Sequence, residues 1–535
     1  MKKPVVLIIL DGWGIAPEGP GNAVALAKTP NFNSLWNSFP HTKLQASGEA
    51  VGLPKFEKGN SETGHLNLGA GRIVYQDLPR INMAIADGSF FKIPAFIEAV
   101  EHTKINQANL HLMGLVGQGG VHSSLDHLFA LLRLAKEQNL KNVYLDLFLD
   151  GRDSPPNLAI TFLEEIEAKI KEIGLGKIAS LVGRYYAMDR DNHWERTEVA
   201  YRALTERKGK IVDDYHKAIK ESYLTGKTDE FIEPIIIKDS LPIKENDAVI
   251  FFNFRIDRPR QLTKAFVIDN FEELVGQKLA FDPYTEKYLK KTYVAERISS
   301  IFKRGPKIKN LFFVTMTEYE KNLPVKIAFP PIIVPQTFGK ILADKEYRQL
   351  RITETEKERF VTYYFNGQYE LPFPGEERIT IPSPPVATYD LKPEMSAREI
   401  TQTLKERLLS LNYNFILVNF ANPDMVGHTG NLQAGIKACE EVDWCLGEII
   451  SVIKGLGGIA VITADHGNVE EMINPETGEI DTEHSRNPVP FIVYSEEFLG
   501  KFHILQSGIL ADVAPTILSL MNLDIPSAMS GRKLL

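Results

Sequence analysis

Short apolar runs recur along the chain, and each ends close to a polar residue. The runs Lys3–Leu10, Phe415–Phe420 and Gly458–Thr463 consist mostly of apolar residues, many of them β-branched. Runs of this length without polar alternation are typical of strands buried on both faces of a sheet. An amphipathic segment such as Leu432–Ile453 instead predicts a helix. The pattern therefore predicts an α/β fold in which buried strands alternate with helices.

A second series of the same kind occupies the region from about Tyr75 to Lys309. Helical patterns cover Leu125–Gln138 and Leu158–Ile173, and they separate short apolar runs. This alternation predicts a second α/β domain with a mostly parallel sheet. Ala280–Lys309 is rich in charged residues and predicts an irregular or helical linker, after which a strand resumes. The predicted strands of this region are Leu110–Val116, Lys141–Leu149, Lys177–Val182 and Asp247–Asn253.

Length and composition fit this two-domain picture. A chain of 535 residues is too long for one hydrophobic core. Its 44% of apolar and 24% of charged residues are ordinary for a soluble globular protein. The N-terminal apolar run stops at Asp11 without a small-residue cleavage site, so it predicts a first strand rather than a signal peptide. No apolar run is long enough to span a membrane, and we expect a cytoplasmic protein without a membrane partner.

The net charge of the chain indicates which classes of binding partner are expected. A net charge of -8 argues against a nucleic-acid surface, which would need a basic patch. An anionic small molecule would need a local cationic pocket within this negative field. The only two cysteines, Cys439 and Cys445, have neither a CxxC nor a same-face spacing. They are expected to be ordinary thiols in a reducing compartment.

Carboxylate and imidazole side chains follow three of the predicted strands. In α/β proteins, ligands collect at the carboxyl ends of strands. Mixed Asp and His ligands suit Mn²⁺, Zn²⁺ or a similar divalent ion. Singly, each motif is also explained as a polar turn after a core strand, as Asp11-Gly12 illustrates. The candidate ligands are Asp11, Asp424, His428, Asp465, His466 and, in a later polar loop, His484.

A serine opens the Gly-rich segment that follows the first strand region. Ser61 lies in the stretch Gly59–His65, ahead of Leu68–Arg72. A serine in this position is most often an N-cap or a turn residue. The N-terminus of a helix would also lower the pKa of an attacking oxygen and offer N–H groups to an anion. Bound to a metal, such an oxygen can attack phosphorus, so Ser61 is a candidate nucleophile.

Each predicted strand of the second region is followed by a loop that contains His or Arg. Taken alone, an arginine is best explained by a surface pair with a neighbouring Asp. The repetition after four strands instead predicts convergence at one sheet edge, where arginines bind carboxylate or phosphate. Lys357 is either a phosphate contact or a surface lysine. The cationic candidates of these loops are His122, Arg152, Arg184, Arg190, Arg255 and Arg258.

Metal ligands, a serine and converging arginines together indicate phosphoryl transfer through a phosphoserine. The motifs that carry this chemistry also mark a resemblance. The chain is similar to the cofactor-independent phosphoglycerate mutases of the alkaline phosphatase superfamily. The middle-region motif is more specific to that family than the metal motifs are. The matching motifs are Val5–Gly14, Asn60–Glu62, Asp150–Asp153, Asn422–His428 and Thr463–Asn468.

The resemblance implies two α/β/α domains, one inserted into the other. Residues 1–76 and 310–535 would form a phosphatase-like metal-binding domain, and residues 77–309 the inserted substrate-binding domain. Two divalent ions would be bound, with Mn²⁺ expected first and Mg²⁺, Co²⁺ or Zn²⁺ as alternatives. One ion would be held by Asp424, His428 and His484. The other would be held by Asp11, Ser61, Asp465 and His466.

The resemblance also implies the reaction. A monomeric isomerase would interconvert 3-phosphoglycerate and 2-phosphoglycerate in glycolysis and gluconeogenesis, without bisphosphoglycerate. Ser61 would be the nucleophile, and Asp153 the general acid and base. The alternatives are another phosphomutase or a phosphatase of the same superfamily, and a non-catalytic metal- or phosphate-binding protein. The substrate-binding residues would be His122, Arg152, Asp153, Arg184, Arg190, Arg255, Arg258 and Lys357.

Overall fold

Two compact units make up the part of the chain that the computed structural model describes, which is residues 3–274, 301–500 and 504–535. Unit 1 comprises Met1–Gln76 and Ile332–Leu535, and unit 2 comprises Asp77–Pro331. Each unit contains its own eight-stranded sheet. Residues 280–300 of the predicted linker lie outside the described residues. Within the described ranges, no helix has the length and apolar character needed to cross a membrane.

The sheet of unit 1 is parallel over five neighbouring strands and ends in strands of mixed direction. Every residue of its central strand Val5–Leu10 is buried. Because side chains alternate along a strand, both faces of the sheet must be covered at this point. In spatial order the strands are Glu376–Ile381, Gln349–Glu354, Phe415–Phe420, Val5–Leu10, Ile459–Thr463, Val489–Tyr494, His41–Gln45 and Gly508–Ile509. The α-helices are Ala23–Leu26, Pro30–Ser38, Ser61–Ala70, Phe338–Asp344, Ala397–Leu409, Asn422–Gly427, Leu432–Gly455 and Val513–Leu520.

The register of the parallel strands places their carboxyl ends side by side. Leu10 pairs with Phe420, and Ile9 pairs with Thr463. The residues that follow these three strands therefore leave the sheet at the same edge. The strand Gln349–Glu354 runs parallel beside Phe415–Phe420 and delivers the 3₁₀ turn Thr355–Lys357 to this edge as well.

The sheet of unit 2 is parallel over six neighbouring strands, and the two strands at one end run in the opposite direction. Ile235–Ile237 pairs antiparallel with Lys177–Gly183 and parallel with the edge strand Lys210–Val212. The side chains of the sheet alternate between two cores. Leu145, Leu147 and Leu149 pack in one cluster, and Phe148 packs in another on the opposite face. In spatial order the strands are Lys326–Phe329, Phe312–Thr317, Ala248–Phe251, Leu110–Val116, Val143–Leu149, Lys177–Gly183, Ile235–Ile237 and Lys210–Val212. The described α-helices are Asp77–Asp87, Pro94–Ile105, Leu125–Glu137, Ala159–Ile173, Arg184–Ala187, Trp194–Glu206, Tyr215–Leu224 and Pro259–Val267.

The predicted α/β class with two sheets is confirmed, but the boundary expected at residue 310 does not coincide with the division of the structure. Residues 310–331 belong to unit 2. The reason is strand pairing, because Phe312–Thr317 joins the sheet of unit 2 beside Ala248–Phe251. The final helix of unit 1 starts at Val513, after the short strand Gly508–Ile509 beside His41–Gln45 and the 3₁₀ turn Leu510–Asp512.

A buried histidine lies between two carboxylates within the sheet of unit 2. His111 Nδ1 contacts Asp146 Oδ2 at 2.8 Å, and His111 Nε2 lies 3.6 Å from Asp247 Oδ2. Ser180 Oγ donates to the other oxygen of Asp146 at 2.6 Å. Burial alone would lower the pKa of His111, but the hydrogen bonds and charges of the two carboxylates raise that pKa to about 9.

This arrangement predicts a pH dependence of stability. A histidine with a raised pKa stabilises the fold below its unfolded pKa of about 6.5, and this contribution is lost as pH rises through about 9. The loss amounts to about 3 kcal/mol over that window. We therefore expect the thermal midpoint to fall more steeply between these pH values in the unmodified protein than in His111→Gln. The partly exposed His216 provides the control, and equal pH slopes for the protein and His111→Gln would contradict the expectation.

Candidate functional site

All seven predicted metal ligands come together at the carboxyl edge of the sheet in unit 1. Asp424 and His428 lie on and just after the helix Asn422–Gly427, and the four-residue spacing brings His428 Nε2 to 3.3 Å from Asp424 Oδ1. His484 Nε2 lies 3.2 Å from the same oxygen and 3.1 Å from His428 Nε2. His466 Nε2 lies 3.4 Å from Asp465 Oδ2 and 3.7 Å from Asp11 Oδ1.

Ser61 is the first residue of the helix Ser61–Ala70 and does not act as its cap. The cap is Asn60, whose side chain accepts from Thr63 N at 2.9 Å. The Ser61 hydroxyl is therefore not engaged in capping and points into the cluster. Its Oγ lies 2.9 Å from His466 Nε2 and 3.0 Å from Lys357 Nζ. A buried serine at a helix N-terminus, beside an ammonium group, is well placed to carry an anionic group.

Lys357 is buried within the same cluster, so its interpretation as a surface lysine is wrong. Its Nζ donates to Asp11 Oδ1 at 2.5 Å and to Asp424 Oδ2 at 2.6 Å. Burial opposes the charged form, but Asp11 and Asp424 outweigh it and raise the pKa of Lys357 well above its ordinary value. The residue reaches this position because it ends the 3₁₀ turn that follows the strand Gln349–Glu354.

The ionisation of the cluster fits cation binding. Burial lowers the pKa of His466, which favours the neutral imidazole that binds metals. Burial opposes ionisation of Asp424 and Asp465, but neighbouring cationic groups hold the pKa of both carboxyls below the ordinary value. Asp11 differs, because burial and the charge of Asp465 raise its pKa to about 7. A dense group of buried carboxylates of this kind is stabilised by positive charge.

The donor atoms divide into two overlapping groups that could each hold a metal ion. One group contains Asp424, His466 and His484, and the other contains Asp11, Asp465 and His466, with the donor atoms of each within 4.8 Å of one another. Asp465 Oδ2 is buried and accepts no hydrogen bond from any described residue. An orphaned carboxylate oxygen among imidazoles and carboxylates fits a divalent cation. The residues present therefore fit the expected metals.

The sequence did not identify two buried residues that connect the predicted ligands. Asn419 Nδ2 donates to Asp11 Oδ2 at 2.7 Å and to His65 Nε2 at 3.1 Å. His65 Nδ1 donates to the Ser61 carbonyl at 3.0 Å and lies 3.2 Å from Asp465 Oδ2. His65 could have been recognised from its position four residues after Ser61, on the same helix face. Asn419 carried no comparable signal, since it lies inside an apolar strand.

In unit 2, the structure brings His122, Asp153 and Arg184 together at the predicted strand ends. Arg184 is buried and donates to Asp150 Oδ1 and Asp153 Oδ2, both at 2.5 Å. His122 Nε2 lies 3.6 Å from Asp153 Oδ2. Burial, together with the charges of Arg184 and Arg255, lowers the pKa of His122 to about 3. Burial opposes ionisation of Asp153, but Arg184 outweighs it and lowers the pKa of that carboxyl.

Arg190, Arg255 and Arg258 lie around Asp257, which the sequence analysis did not single out. Arg190 NH1 donates to Asp257 Oδ2 at 2.7 Å, and Arg255 Nε lies 3.2 Å from Asp257 Oδ1. Arg258 NH1 donates to the Met188 carbonyl at 3.0 Å. Burial and neighbouring arginines lower the pKa of Arg258 to about 10. This excess of cationic groups is suited to an anionic ligand.

Two of the predicted substrate residues depart from this grouping. The Arg152 side chain is 53% exposed, and its NH1 lies 3.7 Å from Glu230 Oε1. Lys357 lies in unit 1 with the predicted metal ligands, whereas the other predicted substrate residues lie in unit 2.

Asp257 could have been recognised in the sequence from its place between Arg255 and Arg258, because an acidic residue between arginines can orient both side chains.

Comparisons with known proteins agree with this chemistry. The Metalloenzyme superfamily matches residues 3–525. A 2,3-bisphosphoglycerate-independent phosphoglycerate mutase of Chloroflexus aggregans is 50% identical over 541 residues, covering 100% of this chain and 98% of the relative. The mutase of the same name from Clostridioides difficile is 49% identical over 540 residues, covering 100% and 99%.

The chain is also similar in fold to a solved structure. Leishmania mexicana phosphoglycerate mutase, crystallised at low cobalt concentration, has a TM-score of 0.59 and 27% identity, and the match covers 99% of this chain and 97% of that one. The family and the two donor groups together support the use of divalent metal. The chain belongs to the 2,3-bisphosphoglycerate-independent phosphoglycerate mutases of the Metalloenzyme superfamily.

Proposed function

We propose that the protein interconverts 3-phosphoglycerate and 2-phosphoglycerate through a phosphoserine at Ser61, without bisphosphoglycerate. The observation that carries this proposal is the environment of the Ser61 hydroxyl. That hydroxyl lies at a helix N-terminus, 3.0 Å from the Lys357 ammonium group, among three buried carboxylates. A serine placed in this way can accept a phosphoryl group, and the names of the relatives supply the substrate.

The predicted ligand sets are retained in the proposal. Asp424, His428 and His484 would hold one divalent ion, and Asp11, Ser61, Asp465 and His466 the other. The bound ions would supply charge neutralisation at phosphoryl oxygens and would favour the alkoxide form of serine. Mn²⁺ is the ion we propose, because mixed carboxylate and imidazole donors suit it.

The residues of the chain divide the chemistry between them. In the first half-reaction, the bond from Ser61 Oγ to phosphorus forms and the bond from phosphorus to the 3-oxygen breaks. The proton that the Ser61 hydroxyl loses is balanced by the proton that the 3-oxygen takes. Lys357 stabilises negative charge beside Ser61 Oγ. In the second half-reaction, the 2-hydroxyl of the retained glycerate attacks the phosphoserine and regenerates Ser61. We propose Asp153 as the general base that takes the proton of the 2-hydroxyl, because Arg184 keeps the Asp153 carboxyl ionised. In the reverse direction, the protonated Asp153 carboxyl returns that proton.

Unit 2 is proposed to bind the substrate, and unit 1 to carry the nucleophile and the metals. Guanidinium groups recognise carboxylate and phosphate through paired hydrogen bonds, which suits both ends of phosphoglycerate. The proposed substrate residues are His122, Arg152, Asp153, Arg184, Arg190, Arg255, Arg258 and Lys357. We also retain the predictions of a monomer and of a cytoplasmic location.

The test is metal removal and replacement. The protein is treated with chelator and dialysed, and activity is followed with 3-phosphoglycerate in the absence of bisphosphoglycerate. We expect no turnover after chelation and formation of 2-phosphoglycerate after addition of Mn²⁺, because the carboxylate cluster requires positive charge to organise Ser61. Release of inorganic phosphate instead would assign the protein to the phosphatases. Absence of either product with every divalent ion tested would refute the proposal.

A further inference from the structure

A fully buried carboxylate outside the predicted ligand sets receives hydrogen bonds from three separate loops. Glu470 lies in the 3₁₀ turn Val469–Glu471. Its Oε2 accepts from the Gly14 amide at 3.0 Å and from the Asn468 amide at 2.8 Å. Its Oε1 accepts from the Ser485 hydroxyl and from Asn487 Nδ2 at 3.1 Å. Both oxygens of this carboxylate are therefore occupied by donors.

Each of these loops also carries a proposed metal ligand. Gly14 follows Asp11 by three residues, Asn468 follows His466 by two residues, and Ser485 is adjacent to His484. The three ligands come from distant parts of the sequence, and Glu470 is a common acceptor for the loops that carry them. The distances between these three ligands therefore depend on the Glu470 side chain.

The two glycines of these loops are required for the close approach to Glu470. A Cβ atom on Gly14 would lie 2.2 Å from Glu470 Cδ. A Cβ atom on Gly467 would lie 2.4 Å from Glu470 Oε1 and the same distance from Ser485 Oγ. Both distances are far shorter than van der Waals contact. Only glycine at these two positions allows the backbone to lie against the Glu470 carboxylate.

We propose that Glu470 is a positioning residue that fixes the spacing of Asp11, His466 and His484 and thereby sets the affinity of the site for divalent cations. The inference rests on the proposed function, because it requires those residues to bind metal. A carboxylate accepts only, so it satisfies donors on both oxygens. A glutamine would present an NH₂ group to two of those donors, lose both bonds and open at least one loop.

The experiment compares Glu470→Gln with Glu471→Gln. Glu471 is the matched control because it is adjacent, partly exposed and accepts from the same Asn487 side chain at 2.8 Å. Mn²⁺ binding is measured directly by equilibrium dialysis, alongside the Mn²⁺ dependence of activity. We expect Glu470→Gln to bind Mn²⁺ about 10- to 100-fold more weakly and to recover most of its kcat at high Mn²⁺. Glu471→Gln should bind Mn²⁺ as the unmodified protein does.

A second variant keeps the inference testable if Glu470→Gln does not fold. Ser485→Ala removes one donor and leaves the carboxylate in place, and it should weaken Mn²⁺ binding several-fold. A lower thermal midpoint with unchanged Mn²⁺ affinity would mean that Glu470 is only structural, and would overturn the inference. Absence of Mn²⁺ binding by the unmodified protein would instead contradict the proposed function, so the two failures are distinguishable.

Discussion

Replacement of Ser61 by alanine is expected to reduce mutase activity by at least about a thousandfold. No other described hydroxyl is placed as this one is, 2.9 Å from His466 Nε2 and 3.0 Å from Lys357 Nζ. In the proposed mechanism, the variant leaves the phosphoryl group without an acceptor on the protein and interrupts its transfer between the two glycerate oxygens. The loss should appear in kcat and should not be recovered by raising the substrate or Mn²⁺ concentration.

Phosphoserine formation provides a second measurement on the same variant. Intact-mass analysis after quenching with acid should detect a phosphorylated form of the unmodified protein and none of Ser61→Ala. Ser47→Ala is a suitable control, because the Ser47 hydroxyl donates to the Arg486 carbonyl at 3.0 Å and contacts none of the proposed metal ligands in the described hydrogen bonds. If Ser61→Ala retained mutase activity near that of the control, direct transfer or another nucleophile would have to replace the phosphoserine.

The architecture could be predicted because it follows from local patterns. The strands Leu110–Val116 and Phe415–Phe420 have the predicted bounds, since continuous apolar runs between polar turns are unambiguous when both sheet faces are covered. The edge on which Asp11, Asp424 and Asp465 meet follows from parallel pairing, which places all carboxyl ends on one side. The domain boundary expected at residue 310 was harder to predict from the sequence, because composition does not reveal which sheet the strand Phe312–Thr317 joins.

The site residues that sequence reasoning missed act through tertiary contacts. Asn419 occupies an apolar strand, and only the neighbouring strand and helix bring Asp11 and His65 to its amide. Glu470 has the sequence context of a surface residue in a polar turn, and its burial results from loops that are distant in the chain. Lys357 was ambiguous for the same reason. Spacing identifies ligands that are close in sequence, whereas the residues that orient them depend on the packed fold.

Arg258 is the residue of unit 2 for which we expect the largest effect. Burial acts against the ionisation of Arg258, and the charges of Arg184, Arg190 and Arg152 act in the same direction, so the pKa of Arg258 falls to about 10. Its NH1 donates only to a main-chain carbonyl among the described hydrogen bonds, that of Met188 at 3.0 Å. A cationic side chain in this repulsive setting gains most when an anion binds, because the anion relieves both the repulsion and the unmet hydrogen-bonding capacity.

Arg258→Ala should therefore lower kcat/KM for mutase activity by about a hundredfold or more. If Arg258 retains glycerate between the half-reactions, phosphorylation of Ser61 should persist and the phosphoserine should lose phosphate to water. The ratio of inorganic phosphate to 2-phosphoglycerate measures this partition, and it should rise in the variant. Arg202→Ala is the control, since Arg202 is paired with Glu198 at 2.7 Å and with Glu206 at 2.5 Å. An unchanged ratio together with unchanged kcat/KM would exclude Arg258 from glycerate binding, whereas loss of both products would place it at phosphoryl transfer to Ser61.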